Sequence, residues 1–87
     1  MSGTVRRFVV IFDDSRIGRH HDISPLSIDV DADTPRPADV IAEYVHRFAG
    51  RFLASSDYVV NVDLTRGFGS IGFGRYGTFR ISLVVAS

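Results

Sequence analysis

The stretch from residue 66 to residue 73 reads RGFGSIGF and lies between two runs rich in β-branched residues, Tyr58–Leu64 and Thr78–Val85. Valine, isoleucine and aromatic residues favour strands, so both runs are predicted to be strands. The stretch between them is also apolar, but glycines interrupt it. Glycine inside a strand marks a bend or a close approach of another group to the backbone. The sequence therefore predicts a three-stranded meander with a glycine-rich middle strand, Phe68–Arg75.

Two short turns predict the register of this meander. If Tyr76-Gly77 is a two-residue hairpin loop, Arg75 pairs with Thr78. If residues 65–67 form a three-residue loop that ends in a left-handed glycine, the residues on either side of that loop pair with each other. The two registers agree, because both place the same residues of the middle strand on the face toward the helix: Phe68, Ser70, Gly72 and Gly74. Phe68 is therefore expected in the core, and the glycines leave room for the helix.

The same register predicts an outward sheet face with an unusual share of apolar residues. Contiguous apolar residues on an open face are typical of an interface, and arginine beside an aromatic residue is typical of its energetic centre. We expect the first strand to extend this face if it lies nearby. The predicted partner-binding residues are Val59, Asn61, Ile71, Phe73, Arg75, Arg80 and Val84.

The octamer also resembles the signature of the RNA-recognition motif, a basic residue and a glycine followed by alternating aromatic residues. Only Ser70 departs from it, at one of the two positions where the family stacks an aromatic ring on a base. The resemblance implies single-stranded nucleic-acid binding, with Arg66, Arg75, Arg80 and Phe73 as a basic and aromatic surface. The connection before Thr78 is too short for the second helix of that motif, so nucleic-acid binding is the alternative function.

The rest of the chain predicts two strands and one helix. Residues 5–12 are apolar on both faces, as in a central strand, and residues 26–31 alternate between apolar and polar. The segment between them, residues 13–25, is predicted to be a solvated polar loop. Residues 34–37 read Thr-Pro-Arg-Pro, a helix start with threonine as the cap, and apolar residues at helical spacing continue to about Gly50.

The predicted order is thus β-β-α-β-β-β, in a single domain spanning residues 1–87. The fold class is α+β: a two-layer sandwich of one helix on a mainly antiparallel sheet of about five strands. This order resembles the β-grasp, or ubiquitin-like, topology, although no sequence motif supports the resemblance. It implies that the first and last strands pair in parallel at the centre of the sheet.

Composition restricts the function. The 87 residues contain ten arginines, no lysine and ten acidic residues, so the net charge of zero gives none of the global attraction to nucleic acid or membranes that basic proteins have. No run approaches the roughly 18 apolar residues of a membrane-spanning helix, and the absence of cysteine fits a cytoplasmic location. The arginine bias indicates a GC-rich genome, such as that of an actinobacterium or its phage.

No pattern of catalytic residues is present. Cysteine is absent, and no serine lies in a Gly-x-Ser-x-Gly turn. The histidines at 20 and 21 lie among three aspartates, but adjacent histidines point apart in an extended chain, so no metal or cofactor is expected and a metal-dependent enzyme is the third hypothesis. The leading hypothesis is a non-enzymatic protein-interaction module that self-associates through the outward sheet face.

Overall fold

The structure, a computed structural model, describes residues 5–54 and 57–84. The elements are β1 Val5–Phe12, β2 Leu26–Asp31, α1 Pro37–Ala49, β3 Val60–Asp63, β4 Phe68–Ile71 and β5 Gly77–Val84. Two short 3-10 turns, Asp13–Ser15 and Gly72–Gly74, follow β1 and β4. The α+β class and the order β-β-α-β-β-β are confirmed.

The five strands form one sheet in the order β2-β1-β5-β4-β3, and all four pairings are antiparallel. β1 is an interior strand, paired with β2 on one side and β5 on the other, and β5 is the central strand of the five. The parallel pairing of first and last strands that a β-grasp implies is therefore wrong: Arg7 pairs with Val84 and Phe12 with Phe79. The sheet also curls into a half-barrel, so the expected two-layer sandwich is not confirmed.

The register of the meander differs from the prediction at both turns. Phe79 pairs with Gly69 instead of Gly74, five residues away, and Val62 pairs with Gly69 instead of Ser70, one residue away. A shift by an odd number of residues reverses the face of every side chain. Phe68 therefore points away from the helix and is 44% exposed, and the prediction that it lies in the core is wrong.

Longer turns cause these shifts. β4 ends at Ile71, which pairs with Gly77, so five residues connect β4 to β5 where two were predicted. Gly72, Phe73 and Gly74 all have positive φ, which extended strand backbone does not allow. The β3–β4 connection spans four residues, because Asp63 pairs with Phe68 and Gly67, at φ 75°, closes the turn.

The helix packs one apolar stripe on the sheet. Ile41, Val45 and Ala49, at four-residue spacing, are fully buried. Phe48 stacks on Phe12 of β1 with the ring centroids 5.6 Å apart. The helix begins at Pro37 without a side-chain cap, so the predicted threonine cap is wrong, while proline in the first helical position is confirmed.

The connection between β1 and β2 is part of the core. Ile17 and Ile23 are buried at 0% and 7% exposure, so the predicted solvated loop is wrong at these two residues. The backbone of Ile17 and His20 exchanges two hydrogen bonds of 2.9 Å around a Gly18-Arg19 turn. The Gly18 amide then donates to the Tyr76 carbonyl at 2.7 Å, which fixes this loop against the β4–β5 turn.

Candidate interaction surfaces

The sheet face opposite α1 has a cluster of exposed apolar side chains. Val5, Val9 and Ile11 lie on the outward face of β1, with Arg7 between Val5 and Val9, since Phe8, Val10 and Phe12 point into the core. On β5, Val84 pairs with Arg7 of β1. Arg80, also on β5, lies between Ile11 of β1 and Phe68 of β4. We call Val5, Val9, Ile11, Phe68 and Val84 the outer patch. Its members other than half-buried Val9 are each 43 to 47% exposed.

Two ion pairs have their arginines among the members of the outer patch. The Arg7 guanidinium donates to Asp29 across β1 and β2, with Nε 2.8 Å from Oδ1. This hydrogen bond raises the pKa of Arg7 and lowers the pKa of Asp29. Arg80 Nε lies 3.5 Å from Asp13 Oδ1. The face therefore presents charges of both signs among its apolar side chains.

The structure distributes the seven predicted site residues over three places. Asn61, Arg80 and Val84 lie on the sheet face opposite the helix, as predicted. Ile71 does not, because the register reverses it into the core, where it is fully buried, and its assignment to a partner-binding face is wrong. Val59, Phe73 and Arg75 meet beyond the end of β4, where all three line one cleft of ≈ 510 Å³.

Phe73 is the most exposed of the large apolar residues, at 80%. It has φ 57° and ψ 32° and is flanked by Gly72 at φ 61° and Gly74 at φ 92°. A non-glycine residue in this left-handed region costs about 1–2 kcal/mol, and such strain concentrates at functional sites. The sequence signal for this turn is the pattern Gly-Phe-Gly, which we interpreted as strand.

A second groove, of ≈ 490 Å³, lies at the same end of the sheet. Its lining includes arginines from the β1–β2 loop and from the β4–β5 turn, together with the aromatic rings of Phe52 and Tyr76. His20, on its rim, packs on Phe52 with the ring centroids 5.4 Å apart. We call this the loop-end groove; its main residues are Arg16, Arg19, His20, Phe52, Arg75 and Tyr76.

Sequence reasoning missed most of the loop-end groove. Arg16, Arg19 and His20 lie in a segment that reads as polar and solvated. The signal was available in Ile17 and Ile23, two large apolar residues in an otherwise polar run, which anchor the segment against the core.

The octamer resemblance also takes a different form in the structure. Phe68 and Ser70 point outward, as the base-contacting positions of that motif do, so the predicted burial of Phe68, which would make it unavailable to a base, is wrong. Arg66 and Arg80, however, are paired with Asp63 at 3.9 Å and Asp13 at 3.5 Å. Arg75 is the only arginine of the predicted basic surface that forms no ion pair with a described carboxylate.

Two other features of the described residues bear on function. In residues 5–54 and 57–84, no three His, Asp or Glu side chains come close enough together to hold a metal ion. Over the same ranges, no helix combines the length and apolar character that a membrane-spanning segment requires.

Comparison with known proteins finds no matching family model, no matching curated protein and no matching solved structure.

Proposed function

We propose that this chain is a non-enzymatic protein-interaction module, cytoplasmic in a bacterium with a GC-rich genome or in its phage, that self-associates through the outer patch. The observation that supports the proposal is the outer patch itself: four large apolar side chains, each more than two-fifths exposed, on three neighbouring strands. Exposed apolar residues scattered singly are normal on a protein surface, whereas several on one sheet face indicate an interface. Val9 and Ile11 are successive outward residues of β1, and the other members lie next to them across the arginines Arg7 and Arg80.

The fold gives a reason for the patch to be open. An 87-residue chain buries only about 60 to 65% of its unfolded surface. Its one α-helix covers one side of the sheet, and no described element packs on the other side. A partner that covers the outer patch would supply apolar burial that the domain cannot supply alone.

A second copy of the chain is the partner that fits best. A two-fold contact places a patch against the same patch of its mate, so apolar residues meet apolar residues. The ion pairs Arg7–Asp29 and Arg80–Asp13 on this face present both signs of charge, so charges of one copy meet opposite charges of the other.

The test is sedimentation equilibrium of the wild type and two charge variants. Ile11→Glu places a charge in the centre of the patch, and we expect it to convert a dimer into a monomer. Tyr44→Glu is the matched control, because Tyr44 has almost the same exposure, 48% against 46%, but lies on the helix. The control is expected to remain dimeric.

Far-ultraviolet circular dichroism establishes that each variant is folded. If Ile11→Glu does not fold, Phe68→Glu tests the same patch from β4. A wild type that stays monomeric up to millimolar concentration, or dimers that persist in both patch variants, would rule out self-association through this face.

A further inference from the structure

The loop-end groove is formed by the β1–β2 loop, the β4–β5 turn and the segment that follows α1, and the first two are fixed to each other. The Gly18 amide donates to the Tyr76 carbonyl at 2.7 Å, and buried Ile17 anchors the turn beneath it. Arg16 Nη1 donates to the Gly18 carbonyl at 3.0 Å, which holds its guanidinium at the groove. The groove is therefore part of the folded structure, although it lies between loops.

Its charge is concentrated and uncompensated. Within residues 5–54 and 57–84, five arginines form ion pairs with carboxylates: Arg7, Arg36, Arg47, Arg66 and Arg80. Arg16, Arg19 and Arg75 form none with the carboxylates of the described residues, and neither Asp nor Glu lines the loop-end groove. A chain of zero net charge thus has a local cationic site, which is where an anionic partner would bind.

Aromatic rings continue from this groove into the neighbouring cleft. Tyr76 and Arg75 line both, so the two form one strip. The cleft half of the strip also has one carboxylate, Asp57, among its lining residues, so the positive charge is concentrated in the loop-end groove. Phe73 stands at the far end of the strip, 80% exposed. Proteins that bind single strands combine arginines that follow the phosphates with aromatic faces on which bases stack, and this strip has both.

We propose that the strip formed by the loop-end groove and the Phe73 cleft binds single-stranded nucleic acid, with Arg16, Arg19 and Arg75 on the phosphates and Phe73 and Tyr76 against the bases. An acidic peptide would match the charge; the exposed ring of Phe73 beside the arginines favours a nucleic acid, because bases stack on aromatic faces. The site is separate from the outer patch and does not depend on self-association.

The test measures the anisotropy of fluorescein-labelled oligo(dT) and oligo(U) over a range of salt concentrations. With three phosphate contacts, a plot of the logarithm of the association constant against the logarithm of the salt concentration should have a slope of about −2. Arg19→Gln with Arg75→Gln, both exposed residues, should reduce the steepness of that slope by about 1.4. The matched control is Arg36→Gln with Arg47→Gln, which removes the same charge from ion-paired helix residues and should leave the slope unchanged.

Phe73→Ser separates stacking from charge. It should weaken binding roughly 5- to 100-fold while the salt slope stays that of the wild type. Because the side chain is exposed, the variant should fold as the wild type does, which circular dichroism checks.

Three outcomes would overturn the proposal. One is no binding of either oligonucleotide at low salt. Another is an equal loss in the control pair, which would mean that only the overall charge matters. The third is displacement of the oligonucleotide by polyglutamate at equal charge, which would identify an acidic protein as the partner. Repeating the titration with Ile11→Glu keeps this result independent of whether the chain self-associates.

Discussion

At Gly69 the backbone of β4 passes so close to the core that no side chain fits. A Cβ built there would lie 2.4 Å from the Phe79 ring and 2.5 Å from the Asn61 carbonyl oxygen. We expect Gly69→Ala to lower the free energy of unfolding by about 1–3 kcal/mol, because the ring or the neighbouring strand must move. Urea unfolding followed by circular dichroism measures this.

Gly50→Ala is the matched control at the same scale. Gly50 has helical φ, and its nearest atoms to a new Cβ are 3.4 Å away, an ordinary contact. The substitution should leave stability unchanged or raise it by less than about 1 kcal/mol. If both substitutions lowered the free energy of unfolding equally, crowding against Phe79 would not be the cause of the destabilisation by Gly69→Ala.

At the scale of elements, one hydrogen bond attaches the end of α1 to the segment that leads into β3. The Tyr58 hydroxyl donates to the His46 carbonyl at 2.6 Å, and its ring stacks on the His46 imidazole with the centroids 4.3 Å apart. Burial raises the pKa of Tyr58. The unfolded chain therefore loses this proton at lower pH than the folded one, so stability is complete below about pH 10 and falls as the pH rises further.

Tyr58→Phe should lower the free energy of unfolding by about 1 kcal/mol at neutral pH. The difference in stability from the wild type should become smaller above about pH 10. Urea unfolding at a series of pH values measures both effects. Tyr44→Phe, an exposed tyrosine on the same helix, should change neither. A difference that is constant across the pH series would contradict the role of the buried hydroxyl.

The elements also differ in how far the sequence predicted them. β1, β2, α1 and β5 were predicted to within a few residues, because their apolar periodicity extends over six residues or more. β4 has only four residues, and its register with β3 and with β5 was predicted from the lengths of the two turns alone. Gly-Phe-Gly suits an extended strand and a left-handed turn equally well, so the choice depends on tertiary packing, as does the burial of Ile17.

For the whole molecule, one core extends from the sheet and helix into the β1–β2 loop. Ile17 is fully buried there and contributes to the same cluster as Phe79 and Val45. Ile17→Ala should therefore lower the free energy of unfolding by about 2–5 kcal/mol, as a core substitution does. That is a large part of the 5–15 kcal/mol that keeps a typical domain folded.

Ile11→Ala is the comparison, since Ile11 is 46% exposed. In protein dilute enough to be monomeric, this substitution should lower the free energy of unfolding by only about 0.5 kcal/mol. Urea midpoints and slopes for both variants provide the measurement. An Ile17→Ala protein as stable as Ile11→Ala would mean that the loop is not part of the core. The same result would remove the support for a groove fixed in place by Ile17.

The backbone around Phe73 also has a consequence for the chirality of the chain. At φ 57° and ψ 32° the strain arises because the residue is an L-amino acid. Its mirror-image form places the side chain on the opposite side of the α-carbon, where this backbone geometry is the relaxed one. Position 73 is thus a point where a chemically synthesised chain would accept D-phenylalanine more readily than the natural residue, with an aromatic ring leaving the turn in a new direction.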